Sequence, residues 1–413
     1  MLLRVMTALL TVLALSVSQT PGAQLLVLHG WSSPAELAAL NVLRSGLEAK
    51  GHSWINLAIP HDNGVKVNVI DLIAGGNSPN IFMEPNPQIY RQLREQGHTL
   101  SPGPLFKSIG ALANFPQAVI DAITIDGQIM KVPNTIHADG MIYYSRAVAT
   151  ASGVDPQRWT SLDAMFADFA RVRAAGYLPM AIGGQEWQVG YLTHALVASI
   201  GGAKLYRQLY SAHPDAVGFD DPALLQVFDA IRKIRQQADP AANGRDWNVA
   251  TSMVISGKAL LQLQGDWMKG EWHAAGKTNN VDFGCRGIPA SKAMAVSIDG
   301  WGLLGGAPPE TEQAELDFAA MVVDPKIQAA FAAAKGSTPV RLDVAQSAVD
   351  SCSAQVLTGL NTPGFAVNTP NTTASAAWIA AVWGVAFKFW NTPDMSSADA
   401  VAALRAGFAA LPG

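Results

Sequence analysis

The chain has 413 residues, 49% hydrophobic and only 15% charged, with a formal net charge of −4. That hydrophobic content excludes intrinsic disorder, and the slightly acidic balance excludes electrostatic binding to nucleic acid or to an anionic membrane. The length is a prior for two or three domains, and the 37 Gly and 24 Pro are scattered without a period, which excludes a collagen-like or low-complexity chain.

Met1 to Ala23 carries one basic residue, Arg4, then the apolar run Ala8 to Val17, then small and polar residues. That is the order of a secretory signal peptide, and the run is shorter than the about 20 residues a bilayer span needs. The mature chain is expected to begin between Gln19 and Gln24, with no cysteine at the exit to accept a lipid. The only cysteines are Cys285 and Cys352. In an exported protein an even pair reads as one disulfide, the alternative being two buried thiols.

Leu25 to Leu28 is an apolar run that reads as a buried strand. Ser33-Pro34-Ala35-Glu36 is a capping-box sequence with Pro at the first helical position, and Leu37, Leu40, Leu43 and Leu47 carry that helix to Lys50. A strand over Asn56 to Ile59 and a helix over Val65 to Ile73 follow, so the chain begins as an α/β fold with parallel strands. Helical periodicity then marks Leu162 to Ala174, Trp187 to Ile200, Ala223 to Gln237 and Trp247 to Ser256. Strand-like runs interrupt it at Leu178 to Ile182, Ala259 to Leu263 and Ala295 to Ile298. Gln313 to Met321 and Pro325 to Ala333 read as further helices, Ala374 to Phe387 as a buried one, and a helical tail ends near Ala410. Two α/β lobes with the chain crossing between them fit this order, since no Ser/Gly linker marks a boundary.

Gly300 to Gly305 matches GxGxxG, but the glycines interrupt a strand-like run and Pro308-Pro309 follow, so the helix that would hold a pyrophosphate is missing. The eight histidines include no HExxH pair, the cysteines form no CxxC, and there is no G-x-S-x-G elbow. Neither a metal nor a cofactor is implied. Glu271 and His273 read as solvated helix surface. The informative feature is the placement of the 11 Trp, several of them beside polar side chains: Trp31, Trp187, Trp247, Trp267 and Trp301. A pyranose offers flat C–H faces and a rim of hydroxyls, so its site needs aromatic plates and polar side chains together. The bland alternative is that amphipathic Trp sits at domain edges with its N–H satisfied.

Three blocks carry a family resemblance: Gly183 to Gln188; Gly244 to Asn248 running on to Gly265-Asp266-Trp267-Met268-Lys269-Gly270-Glu271; and Lys335 to Arg341. Together with Leu28 to Trp31 and the two cysteines, they resemble the glucose/mannose-binding subfamily of ABC-importer substrate-binding proteins (extracellular solute-binding family 1). The resemblance implies a two-lobe periplasmic binding protein fold, type II-like with interleaved lobes. Its N-terminal lobe would hold residues 24–133 plus about 300–345, and its C-terminal lobe residues 134–299 plus about 346–413. It implies a monomer in the periplasm that captures a sugar-like ligand and delivers it to an ABC permease. Trp31 and Glu36 would sit at the cleft, with His137 on a crossing strand, Trp247 and Trp267 as stacking plates, and Asp299, Lys335 and Gln188 as hydrogen-bonding groups.

Plainer roles compete for some of these residues. Glu36 fits a capping box, Lys335 a helix C-terminus before Gly336, and Asp246 and Asp266 the caps of the helices after them. The chain also departs from the family pattern. Gly30 replaces the first of two adjacent Trp, Met83 and Pro85 replace a Gln-x-Lys pair, Ala138 replaces an Arg, and Val367 to Asn371, around Pro370, lacks a histidine. A cleft with those losses is larger and less polar than a glucose site. The alternatives are therefore a non-sugar amphiphile or glycerophospho-type solute on the same fold, and a secreted glycosidase using Asp266 and Asp299.

Overall fold

The computed structural model describes residues 22–59, 68–211, 213–345, 347 and 349–411. The leader expected over residues 1–23 lies almost wholly outside them. Eleven strands form among the described residues: β1 Gln24–His29, β2 Ser53–Ala58, β3 Ile81–Met83, β4 Thr124–Ile125, β5 Gln128–Ile129, β6 Val132–Ser145, β7 Leu178–Met180, β8 Ala259–Gly265, β9 Phe283–Gly287, β10 Met294–Leu303 and β11 Ala366–Asn368. Nine belong to one sheet in the order β2-β1-β3-β10-β6-β8-β7, with β11 on β10 and β9 on β6, while β4 and β5 make a separate hairpin.

The expected parallel pairing holds at both flanks, for β1 with β2 and β3 and for β7 with β8. It fails in the middle, where β6 runs antiparallel to β8, β9 and β10, and β10 antiparallel to β3. The reason is β6. Its first half pairs with β10 (Val132 to Ala138) and its second half with β8 and β9 (Asp139 to Ser145), so one strand joins both parts of the sheet. Register shifts mark the changeover, between Asp139 and Met141 in β6 and between Asp299 and Gly300 in β10. Gly140 takes φ +78° there, a left-handed conformation glycine adopts without penalty.

Helices flank the strands much as periodicity requires. Leu162–Ala174 and Ala223–Gln237 match expectation, the second burying Leu224, Val227, Ile231 and Ile234 on one face. The first is capped by the Ser161 hydroxyl, which accepts from Ala164 N–H, and ends on Arg171 and Arg173. Trp187 to Ile200 is not one continuous helix: the α-helix Glu186–Leu196 passes into a π-turn over Val197–Gly201. The helix expected from Val65 starts at Val69, because the Asn68 side chain accepts from Ile70 and Asp71 N–H and caps it; residues 65–67 lie outside the described residues.

One apolar core gathers Leu25, Leu43, Phe318 and Phe331 beneath β1, while another gathers Phe169, Leu196, Ile231 and Trp378 around the helices beyond β6. Cys285 on β9 is disulfide-bonded to Cys352, 67 residues on. Beside that bond Lys269 Nζ pairs with Asp350 at 2.9 Å, and Asp350 caps the helix Ser351–Asn361 that carries Cys352. No described helix is long and apolar enough to cross a membrane.

Candidate functional site

The strand crossing brings the sequence-predicted residues together from distant parts of the chain. His137 on β6 is buried between two acids: its Nδ1–H donates to Asp266 Oδ1 at 2.6 Å, and Nε2 lies 3.4 Å from Asp299 Oδ2 on β10. Burial disfavours the imidazolium, yet Asp266 by charge and hydrogen bond, with Asp299, pushes its pKa up to about 9. His137 is therefore a cation at neutral pH. Asp266 does not take the competing role of helix cap: it is 2% exposed and committed to His137, and Met268–Ala274 begins without a side-chain cap. Asp246 stands at its cap position but accepts from Gln185 Nε2 (2.5 Å) instead of a helix N–H.

The Trp267 ring meets His137 edge-on at 5.4 Å and Tyr191 at 5.8 Å. Gly265 makes that placement feasible, since a Cβ there would come within 2.0 Å of the ring. Trp247 is buried at the first turn of its own helix, where its carbonyl accepts from Thr251 Oγ1 and Gln262 Nε2. Gln188 is drawn into an amide network: its Nε2 donates to Gln185 Oε1 and to the Arg245 carbonyl, and its Oε1 accepts from Gln264. Its polar atoms are thus all engaged within the protein.

On the side of β1, Glu36 caps its helix and also faces a lysine. Its Oε2 accepts from Ser32 and Ser33 N–H at 2.9 and 3.0 Å, completing the capping box of Pro34–Glu48. Its Oε1 lies 3.5 Å from Lys335 Nζ. Burial opposes the charge, but Lys335 and the two backbone donors outweigh it and hold the Glu36 carboxyl below its ordinary range. Lys335 ends its helix as expected, with Gly336 left-handed behind it, and its ammonium also sits 5.0 Å from the Trp31 ring. Gly336 packs against Gly270 so closely that a Cβ would fall 2.0 Å from the Gly270 nitrogen. Neighbouring Glu271 is not solvated surface, as sequence patterning suggested. It is 7% exposed and accepts from Ala35 N–H across the helix contact.

Three groups went unread in the sequence. Tyr191, one turn after Trp187 on its helix, accepts a hydrogen bond from Asn371 Nδ2 at 2.9 Å. Lys131 bonds the Pro85 carbonyl at 2.7 Å and is close enough to Glu84 and Asp299 for both to stabilise its charge, although burial lowers its pKa to about 8. A lysine therefore stands beside the very position where one was expected to be lost. Asp139 lies on β6 two residues after His137, buried, where only the i, i+2 alternation of the strand could have flagged it. The arrangement presents aromatic rings and ion-paired polar groups side by side. Asp266 and Asp299 share one imidazole, an arrangement that does not resemble a glycosidase acid and nucleophile facing each other across a substrate.

The model of the bacterial extracellular solute-binding proteins matches residues 66–356. A probable sugar-binding periplasmic protein of Brucella melitensis is 32% identical over 329 residues, covering 79% of this chain and 77% of its own. A protein of the same description from Rhizobium meliloti is 30% identical over 343 residues, with 79% and 78% covered. Among solved structures, a chitin oligosaccharide binding protein superposes with a TM-score of 0.77 at 17% identity, covering 94% of this chain and all of the other. The bacterial solute receptor AcbH, described as preferring β-D-galactopyranose, gives 0.78 at 16% identity, covering 94% and 97%. These structural likenesses carry the two-lobe receptor fold, and the family match with its 30–32% identical relatives carries membership: the chain belongs to the bacterial extracellular solute-binding proteins.

Proposed function

We propose that this protein captures a sugar or sugar-like solute outside the cytoplasmic membrane and delivers it to an ABC permease, binding and releasing without breaking a bond. The observation that supports it most is the cluster at the strand crossing, where the Trp267 and Tyr191 rings lie beside the His137–Asp266–Asp299 group. Aromatic faces suit the C–H surfaces of a pyranose, and charged groups held in fixed pairs suit its hydroxyls. In this reading Trp31, Glu36, Trp247, Trp267, Asp299 and Lys335 contact the solute and His137 orders the acids, while Gln188 stiffens the wall. Capture proceeds by hinge closure about β6 and β10, with lobes divided near residues 133 and 299. A solute that touches both lobes stabilises the closed state, which the permease recognises. The protein acts as a monomer, in the glucose/mannose-binding subfamily, with a solute other than plain glucose because of Gly30, Met83, Ala138 and Pro370.

Thermal-shift screening tests this with D-glucose, D-galactose, D-xylose, cellobiose, their methyl glycosides, octyl glucoside and glycerophosphocholine. A true solute at a hundred times its Kd raises Tm by about 3 °C for a chain of this size. A response to glycerophosphocholine with none to any sugar would overturn the sugar reading.

A further inference from the structure

Asp139 is 5% exposed, and neither of its carboxyl oxygens has a hydrogen-bond partner among the described residues. A buried carboxyl that no protein group meets carries a desolvation cost that a polar ligand group can offset. Its position is informative. On β6 it follows His137 by two residues and so lies on the same face of the strand. Its cross-strand partner is Gly265, which has no side chain, and the space above Gly265 is taken by the Trp267 ring. Asp299 and Tyr191, both partly exposed, are near enough to act on it electrostatically or to feel its charge. Tyr206, whose buried hydroxyl also has no hydrogen-bond partner among the described residues, feels it too. An orphaned carboxyl therefore stands at the floor of the aromatic–polar cluster.

The neighbouring charges decide its form. Burial, then Asp266 and Asp299, push the Asp139 carboxyl well above the ordinary range, and His137 only partly opposes them. His137 is already held by those two acids, so a third negative charge shares that one cation. A neutral carboxylic acid has one O–H donor and a carbonyl acceptor side by side. Two adjacent hydroxyls of a sugar ring offer the complement.

We propose that Asp139 recognises the solute directly, its carboxyl O–H donating to one ring hydroxyl and its carbonyl oxygen accepting from the neighbouring one. This rests on the sugar-like solute proposed above and adds a specificity: a vicinal diol must face Asp139. Asn, which also carries one donor group and one acceptor, should replace it; Ala should not.

The test measures, by calorimetry between pH 6 and pH 10, the sugar of the screening panel with the largest thermal shift. The proteins are the wild type and the Asp139→Asn and Asp139→Ala variants. The expected result is near wild-type affinity at pH 7 for Asp139→Asn, and binding at least about tenfold weaker for Asp139→Ala, whose unliganded Tm is not lowered. Wild-type affinity should fall at alkaline pH more than that of Asp139→Asn. His137, Asp266, Asp299, Tyr191 and Tyr206 surround the site in both proteins and drop out of the comparison. Equal binding by Asp139→Ala would overturn the inference. So would loss of binding in Asp139→Asn with affinity rising with pH in the wild type, the mark of a carboxylate holding a cationic solute. Either result leaves the sugar reading standing, whereas no response to any sugar removes that reading and this inference with it.

Discussion

The pairing of His137 with Asp266 links stability to pH, and replacing Asp266 by Asn breaks that link. A histidine pKa raised from 6.5 to about 9 is worth about 3 kcal/mol at about 1.36 kcal/mol per pH unit. Because the folded value is raised, this stabilisation is fully present below pH 6.5 and is lost as pH rises through 9. Over 413 residues, with about 2.1 cal/mol/K of unfolding entropy per residue, 3 kcal/mol corresponds to about 4 °C in Tm. Glu315, pushed up by burial to about 8, and Lys131, lowered by burial to about 8, titrate in the same window. Both are unchanged in the Asp266→Asn variant and cancel from a difference; Asp139, whose carboxyl Asp266 helps push up, does not, so the comparison is made with Asp139→Asn in both proteins. Melting curves by circular dichroism from pH 6 to pH 10 should therefore show the Tm of the protein that keeps Asp266 falling about 4 °C further than that of the variant. The variant should be the less stable at pH 6, since it leaves a buried cation without its main partner. Parallel curves would refute the assignment of His137 as a buried cation.

Trp267→Ala and Trp247→Ala should each weaken solute binding by about 2 kcal/mol, roughly thirtyfold, as central aromatic contacts do. Calorimetry showing retained affinity in both would sink the stacking model. Gly265→Ala puts a Cβ within 2.0 Å of the Trp267 ring, so the ring must move. Binding should fall toward that of Trp267→Ala with a change in tryptophan fluorescence, and an unchanged spectrum and affinity would show that the ring tolerates the methyl. Replacing Cys285 and Cys352 together by Ser opens a 67-residue loop and should cost about 4 kcal/mol on chain-entropy grounds. A loss below about 1 kcal/mol in urea titration would contradict that account.

Elements that repeat a local rule were readable without the fold. The helix Pro34–Glu48 has its cap and apolar stripe written in consecutive residues, and Ala223–Gln237, without a side-chain cap, still has its apolar stripe. Trp267 and Lys335 could be picked out for a similar reason, because both lie in runs that resemble a family. The longest strand was not. Val132–Ser145 is buried along its whole length, so it shows no alternation, and it contains Pro133, Asn134, His137, Asp139 and Gly140, none of which favours a strand. Only the neighbours on both sides make it one.

By itself the sequence determined the helix and strand content of the flanks and the neutral, Trp-rich character that points away from charged macromolecular partners. It also contained both halves of the disulfide. What the tertiary structure decided is which charges meet. Asp266 meets His137, 129 residues away, instead of capping the helix after it, and Lys131 comes to Pro85 from 46 residues on. Glu36 finds Lys335 across 299 residues, and Asp139 is left with no hydrogen-bond partner among the described residues. Helix and cap preferences act over a few residues and can be read locally. The energy of an ion pair or an orphaned carboxyl depends on distance and on exclusion of water, and β6 and β10 set both only when they cross.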